Sequence, residues 1–185
     1  MLPTDTVYGL CADPYREAPV RELYRMKQRP ADQPCALLAN DVDFLLELVP
    51  ELRGRAATMA RALLPGPYTL ILPNPGRRYR WLTGSSPETI GVRVPELTGP
   101  GAEVVEHVGA LVATSANVHG GPESRRLEDV PVEIRAGAAA LVDGGELPGT
   151  PSTILDLTGE EPTVLREGAV AAAEALERAA AAFSR

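Results

Sequence analysis

The chain has 185 residues, 44% hydrophobic and 23% charged, an ordinary balance for a soluble globular protein and enough length for one large domain with a real core. Its formal net charge of −7 gives no general attraction to polyphosphate, so broad nucleic-acid binding is disfavoured while a local basic pocket for a small anion stays open. No apolar run nears the ~20 residues that span a bilayer and no basic-then-apolar segment opens the chain, so neither membrane insertion nor secretion is expected and the default location is the cytosol.

Aromatics make up only 4%, so the core must come from Leu, Val, Ile and Ala. Cys11 and Cys35 form no CxxC pair, and His107 and His119 lie far apart. A zinc site is therefore not expected, and the cysteines read as small, reduced, buried hydrophobes.

In chain order, Val20, Leu23 and Tyr24 recur at helical spacing and predict a helix over about 16–28. It ends at Arg29-Pro30, because the residue before proline is pushed out of the helical region. CALLA at 35–39 reads as a buried strand. Segments 45–48 and 53–64 read as helices, the second stopped by PGP at 65–67. YTLIL at 68–72 and TIGVRV at 89–94 are β-rich. A short helix at 103–108 precedes a strand at 110–114, and a further helix is expected around 127–135. AALV at 139–142, STILDL at 152–157 and TVLR at 163–166 read as strands. The alanine-rich tail from Ala169 to Phe183 favours helix. Strands and helices alternate only in part, so the expected class is α/β, a twisted mixed sheet with flanking helices.

Six segments place small polar or cationic residues at the ends of β-like runs, where α/β folds put ligands. PTDTVYGL at 3–10 leads into a strand or turn ending at Gly9; taken alone it is an ordinary cap or turn. In MKQRP at 26–30, Lys27 and Arg29 follow a helix C-terminus. They suit either the helix dipole or an anion clamp. PGPYTLIL at 65–72 leaves Thr69 as a polar residue in a core strand. GVRVP at 91–95 embeds Arg93 in an apolar run, where it must pair, snorkel or bind something. ATSANVHGG at 113–121 offers hydroxyls, an amide and loop N–H groups, as a phosphate cradle or a turn would. In PSTILDL at 151–157 and VLREG at 164–168, Ser152 opens one strand and Arg166 closes another. There is no Walker A loop, GxGxxG, GxSxG or HExxH. Chemistry alone gives an α/β domain, with the binding of a small anionic ligand as one reading of these segments and ordinary caps, turns and ion pairs as the other.

Together and in this order, these segments, with RWLTG at 80–84, resemble the YrdC/Sua5/TsaC family of threonylcarbamoyl-AMP synthases in its short form. The likeness runs from Leu2 to about Gly168. It implies the YrdC-like (DHBP synthase-like) open α/β fold, as one domain over 1–185 with a helical tail at 169–185. It also implies a nucleotidyltransferase reaction. Threonine's amine takes up bicarbonate as a carbamate, the carbamate attacks the α-phosphate of ATP, and pyrophosphate leaves. Mg²⁺ accompanies the ATP. The product would pass to a threonylcarbamoyl transferase complex that modifies tRNA to t6A.

By position, the resemblance gives the substrate threonine to Thr6, Ala113 and Ser152. It gives ATP to Lys27, Arg29, Thr69, Ser115, Asn117 and Arg166, with Lys27 and Arg29 as the catalytic cations on the phosphates. Arg93 is a further candidate. Three departures stand out. The family usually has a helix and a strand before PTDT, whereas this chain starts almost on that motif. Leu38 falls near a place where long-form members carry histidine. His119-Gly120 replaces the usual SG after TSAN. The alternative is an RNA-binding or ribosome-associated factor with a weak tRNA contact at the same cations, marked by steep salt dependence. A carbamoyl-adenylate activity like that of hydrogenase maturation proteins, and an inactive relative, are lesser alternatives.

Overall fold

In the strand segments, apolar and small or polar positions alternate with period two, and this decides the layering. The computed structural model describes residues 1–183. Its strands are β1 (Leu2–Pro3), β2 (Tyr8–Ala12), β3 (Ala36–Ala39), β4 (Tyr68–Pro73), β5 (Thr89–Arg93), β6 (Ala110–Ser115), β7 (Thr153–Asp156) and β8 (Thr163–Arg166). Its helices are α1 (Glu17–Met26), α2 (Val42–Leu48), α3 (Arg55–Leu63), α4 (Gly99–Val108), α5 (Val132–Gly137) and α6 (Ala172–Phe183).

All eight strands join one sheet in the order β1-β2-β6-β3-β5-β4-β7-β8. The β3–β5 and β4–β7 pairs are parallel and the others antiparallel. This is the mixed α/β sheet that the sequence predicts. One face carries Leu37, Leu70, Leu72, Ile90, Val92, Val112 and Leu155, all buried. Against it pack Val20 and Leu23 of α1, Leu45 of α2, Met59 and Leu63 of α3, Ile134 of α5, and Ala175 and Ala179 of α6. The alanine spacing in α6 lets that helix lie close on α3. The opposite face is covered only in part. There Leu2, Leu38, Val105 of α4 and Ala113 form a second, smaller cluster, and the rest of that face is open.

Several expected elements differ in detail. The AALV strand at 139–142 is absent; the segment is extended coil. It makes isolated bonds beside Met1, from Val142 N–H to the Met1 carbonyl (3.1 Å) and from the Met1 ammonium to the Ala140 carbonyl (2.9 Å). It therefore never builds a ladder. The helix expected over 127–135 is split into a 3₁₀ turn (Leu127–Asp129) and α5, because Pro131 cannot continue the first piece and instead precedes the second. The helix expected at 103–108 starts earlier, at Gly99, with proline in its first turn where no N–H is needed. The strand after PTDT continues past Gly9 to Ala12.

Candidate active site

On the partly covered face, the register aligns Ala113, Ala36, Gly91 and Ile71 across β6, β3, β5 and β4. Small residues at the middle of this row keep the floor low. Above it opens a cleft of about 410 Å³, within the range of small-molecule sites. The period-two alternation that sends Leu70, Val92 and Leu155 into the core turns Thr69, Arg93 and Ile154 toward the cleft.

The PTDT segment closes one end. Thr4 Oγ1 donates to the Val7 carbonyl (2.7 Å) and accepts from the N–H groups of Thr6 and Val7 (both 3.3 Å). This hydroxyl turn holds Asp5 and Thr6 inward. Thr6 is buried, lines the cleft and hydrogen-bonds Thr4 Oγ1 at 3.1 Å. Asp5 forms an ion pair of 2.7 Å with Arg93. Burial drives the Asp5 carboxyl up and the Arg93 guanidinium down, and each charge opposes the other's shift. Arg93 thus resolves the question its sequence raised: it lines the cleft, but its charge is committed to Asp5.

At the end of α1, Gln28 takes the left-handed conformation (φ 52°). This turns the chain so that Lys27 points inward and Arg29 reaches the cleft. Lys27 is almost wholly buried and does not line the cleft. Its ammonium donates to the carbonyl of Ser115, to the carbonyl of Asn117 (2.7 Å) and to Asn117 Oδ1 (2.8 Å), which uses all three of its protons. Burial, reinforced by Arg29, pulls its pKa down to about 8. Asn117 is equally committed. Its Oδ1 also accepts from Ser115 Oγ (2.7 Å), and its amide donates to the Gly121 carbonyl (2.6 Å). Lys27 and Asn117, two of the six residues that the resemblance gives to ATP, are thus hydrogen-bonded to each other, and they fix the 115–117 loop. Ser115, Ala113 and Thr114 of that strand end do line the cleft.

Arg29 lines the cleft too. One Nη donates to the Pro34 carbonyl (2.7 Å), its guanidinium lies 6.0 Å from the Tyr24 ring centre, and its Nε is buried without a partner. Across the cleft, Thr69 Oγ1 and Ser152 Oγ share a hydrogen bond of 2.8 Å, both being buried. Arg166 grips the same spot, donating to the Ser152 carbonyl through Nη2 (2.8 Å) and Nε (3.2 Å) and approaching Ser152 Oγ at 3.3 Å. The chain can come this close only because residue 168 is glycine, where an added Cβ would stand 2.2 Å from the Pro151 carbonyl. Thr153 clamps the same turn, accepting from the N–H groups of Gly168 and Val170 and donating to the Val170 carbonyl.

Three guanidiniums therefore face one cleft. Arg166 is held below its ordinary pKa first by burial and then by Arg93 and Arg29, with Glu123 opposing. Like charges held together in this way create a site that an anion relieves. Glu123 is a lining residue that the sequence did not single out. Nothing in GGPES marks it, since glutamate in a polar loop is unremarked on any surface.

Fold and cleft together define an α/β protein with an arginine-lined cleft on one sheet face. The Sua5/YciO/YrdC family model, described under telomere recombination, matches residues 1–168. The chain belongs to this family. The threonylcarbamoyl-AMP synthase of Pyrococcus abyssi is 35% identical over 169 residues, covering 90% of this chain and 49% of the relative. That of Escherichia coli is 36% identical over 166 residues, covering 85% and 84%. The crystal structure of P. abyssi Sua5 complexed with L-threonine superposes with a TM-score of 0.83 at 32% identity, covering 96% of this chain and 52% of that one. The chain spans about half the length of the P. abyssi and Bacillus subtilis relatives, 49% of each. Among the described residues, no helix is long and apolar enough to cross a membrane.

Proposed function

We propose that the chain is an L-threonylcarbamoyladenylate synthase, joining L-threonine, bicarbonate and ATP into threonylcarbamoyl-AMP with release of pyrophosphate. The observation that carries this reading is the convergence of Arg29 and Arg166 on a cleft that the hydroxyls of Thr6, Thr69, Ser115 and Ser152 also line, with Arg93, Glu123 and apolar side chains such as Ile71 and Ile154 completing its wall. The relatives named for this activity, and the threonine-bound structure among them, support it.

The threonine nitrogen bonds to the carbon of bicarbonate, water leaves, and a carbamate results. A carbamate oxygen then bonds to the α-phosphorus of ATP as the bond to the β-phosphate oxygen breaks. Thr6, Ser152 and the backbone at Ala113 would hold threonine. Arg29, Arg166 and Ser115 would hold the phosphates, and Thr69 would fix the Ser152 hydroxyl through their 2.8 Å bond. Charge gathers on phosphate oxygens in such a transfer, so preset cations are the main requirement. Lys27 and Asn117 act one step back, as positioning residues for the 115–117 loop.

Magnesium would enter with ATP and neutralise phosphate charge. Glu123 Oε2, buried in the cleft without a hydrogen-bond partner, is an oxygen donor that fits such an ion. We place the reaction in the cytoplasm, with the product passing to a threonylcarbamoyl transferase complex for the t6A modification of tRNA.

Pyrophosphate release from ATP, with threonine, bicarbonate and Mg²⁺ omitted in turn, tests the reading. Release should require both threonine and bicarbonate, and Arg29→Ala or Arg166→Ala should lower it at least ~100-fold, the scale of losing one preorganised charge contact. Release at the wild-type rate in both variants would remove these residues from their roles.

A further inference from the structure

Glu123 is the only acidic side chain among the described residues that line the cleft. It lies just past the 115–117 loop, in a site whose other charged groups are cationic. Its charge reaches those groups, holding the pKa values of both Lys27 and Arg166 up against the other influences on them. Even so, Oε2 is buried and accepts no hydrogen bond. Asp5 also keeps one buried oxygen, Oδ2, without a partner, but its Oδ1 closes onto Arg93 at 2.7 Å, whereas among the described residues Glu123 forms no such ion pair. Lys27 cannot turn to Glu123, its three protons being taken by the loop. Arg166 is turned to Ser152 and Arg29 to Pro34. A buried acceptor left open is costly, and a carboxylate inside a polyphosphate site repels the ligand unless a cation lies between them.

We propose that Glu123 is a ligand for the divalent cation carried by the polyphosphate, and that it makes the site discriminate metal-bound from metal-free nucleotide. This deepens the synthase reading and rests on it. Hard divalent cations of this kind are commonly held by one or two carboxylates together with substrate phosphates and water. Among the described residues no group of three or more histidine, cysteine or acidic side chains could hold an ion by itself. The cation therefore arrives with the nucleotide and does not wait in the protein. Metal-free ATP would bring its full negative charge against Glu123, whereas ATP with its metal would bring an ion for the open oxygen. Arg29 and Arg166 attract both forms, so the preference between them lies with Glu123.

Calorimetric titration of ATP, in excess Mg²⁺ and in excess EDTA, into the wild type, Glu123→Gln and Glu123→Ala tests this without relying on turnover. Melting curves of the three proteins check that the variants are folded. The wild type should prefer the magnesium complex. Both variants should reduce that preference about tenfold, equivalent to about 1.4 kcal/mol, mainly by binding metal-free ATP more tightly. An unchanged preference in both variants overturns the proposal. Equal tightening of both forms also overturns it, because Glu123 would then be a simple counter-ion to the arginines. If the wild type binds ATP in neither condition, the nucleotide reading fails, and this inference fails with it.

Discussion

Replacing Lys27 with methionine separates two roles that a lysine beside a phosphate site could play. Methionine keeps the unbranched stem in a position only 1% exposed and removes the ammonium alone. The carbonyls of Ser115 and Asn117 then lose their buried donor, while Asn117 Oδ1 keeps the Ser115 hydroxyl. Each stranded carbonyl costs about 1–3 kcal/mol. Relief from burying a charge offsets part of this, since burial holds the Lys27 pKa at about 8 against an ordinary 10.5. The net loss should be about 2–4 kcal/mol, or roughly 5–15 °C in Tm for a chain of this size. Urea unfolding at pH 7 measures it, with the slope m unchanged and the midpoint lowered. A phosphate ligand with no structural role would behave otherwise: the variant would be as stable as the wild type or more so, and only the KM for ATP would rise. That result would refute the reasoning.

The same lysine sets a pH dependence. Between about pH 8 and 10.5 the unfolded chain keeps a proton that folded Lys27 has released. The unfolded state then binds more protons, so this group's contribution to stability rises with pH across that window; comparing unfolding free energies at pH 7.5 and 9.5 should show the rise in the wild type and its loss in Lys27→Met. Asp5→Ala should destabilise by about 3–5 kcal/mol by leaving the Arg93 charge buried and unpaired, and adding Arg93→Met should recover most of that, both read by urea unfolding. Ser152→Ala removes the partner of Thr69 Oγ1 and one contact of Arg166, so the KM for threonine should rise about tenfold with little change in kcat, the loss of one neutral hydrogen bond to substrate; an unchanged KM in steady-state kinetics counts against the assignment.

The sheet was largely legible because its signal is local. Strands such as YTLIL and TIGVRV carry β-branched and aliphatic residues in period two, and that same period places Thr69 and Arg93 on the open face. The AALV segment carries a similar local signal but finds no partner strand, and pairing is a property of the whole chain. Pro131 lies inside an otherwise helical pattern, and its ring splits that pattern into a 3₁₀ turn and α5. In the cleft, Thr6, Arg29, Ser152 and Arg166 were found through the order of their motifs. Their separation along the chain says nothing of their meeting: the β7–β8 pairing sets Arg166 beside Ser152, and the β2-β6-β3-β5-β4-β7 strand order builds the floor they share with Thr6 and Arg29. Lys27 shows the limit of type and position. A lysine after a helix reads as dipole partner or phosphate ligand, and only the left-handed turn at Gln28 and the fold of the 115–117 loop reveal that its protons are already used. Glu123 lacks any local signal, because its meaning comes from the arginines around it.

The most direct test of the central claim follows the carbon of bicarbonate. The protein is incubated with ATP, Mg²⁺, L-threonine and ¹³C-bicarbonate, and the adenylates are read by mass spectrometry. The account predicts a threonine-dependent AMP adduct carrying the label, formed in step with pyrophosphate. An unlabelled threonine–AMP adduct, or AMP released regardless of threonine and bicarbonate, would contradict it.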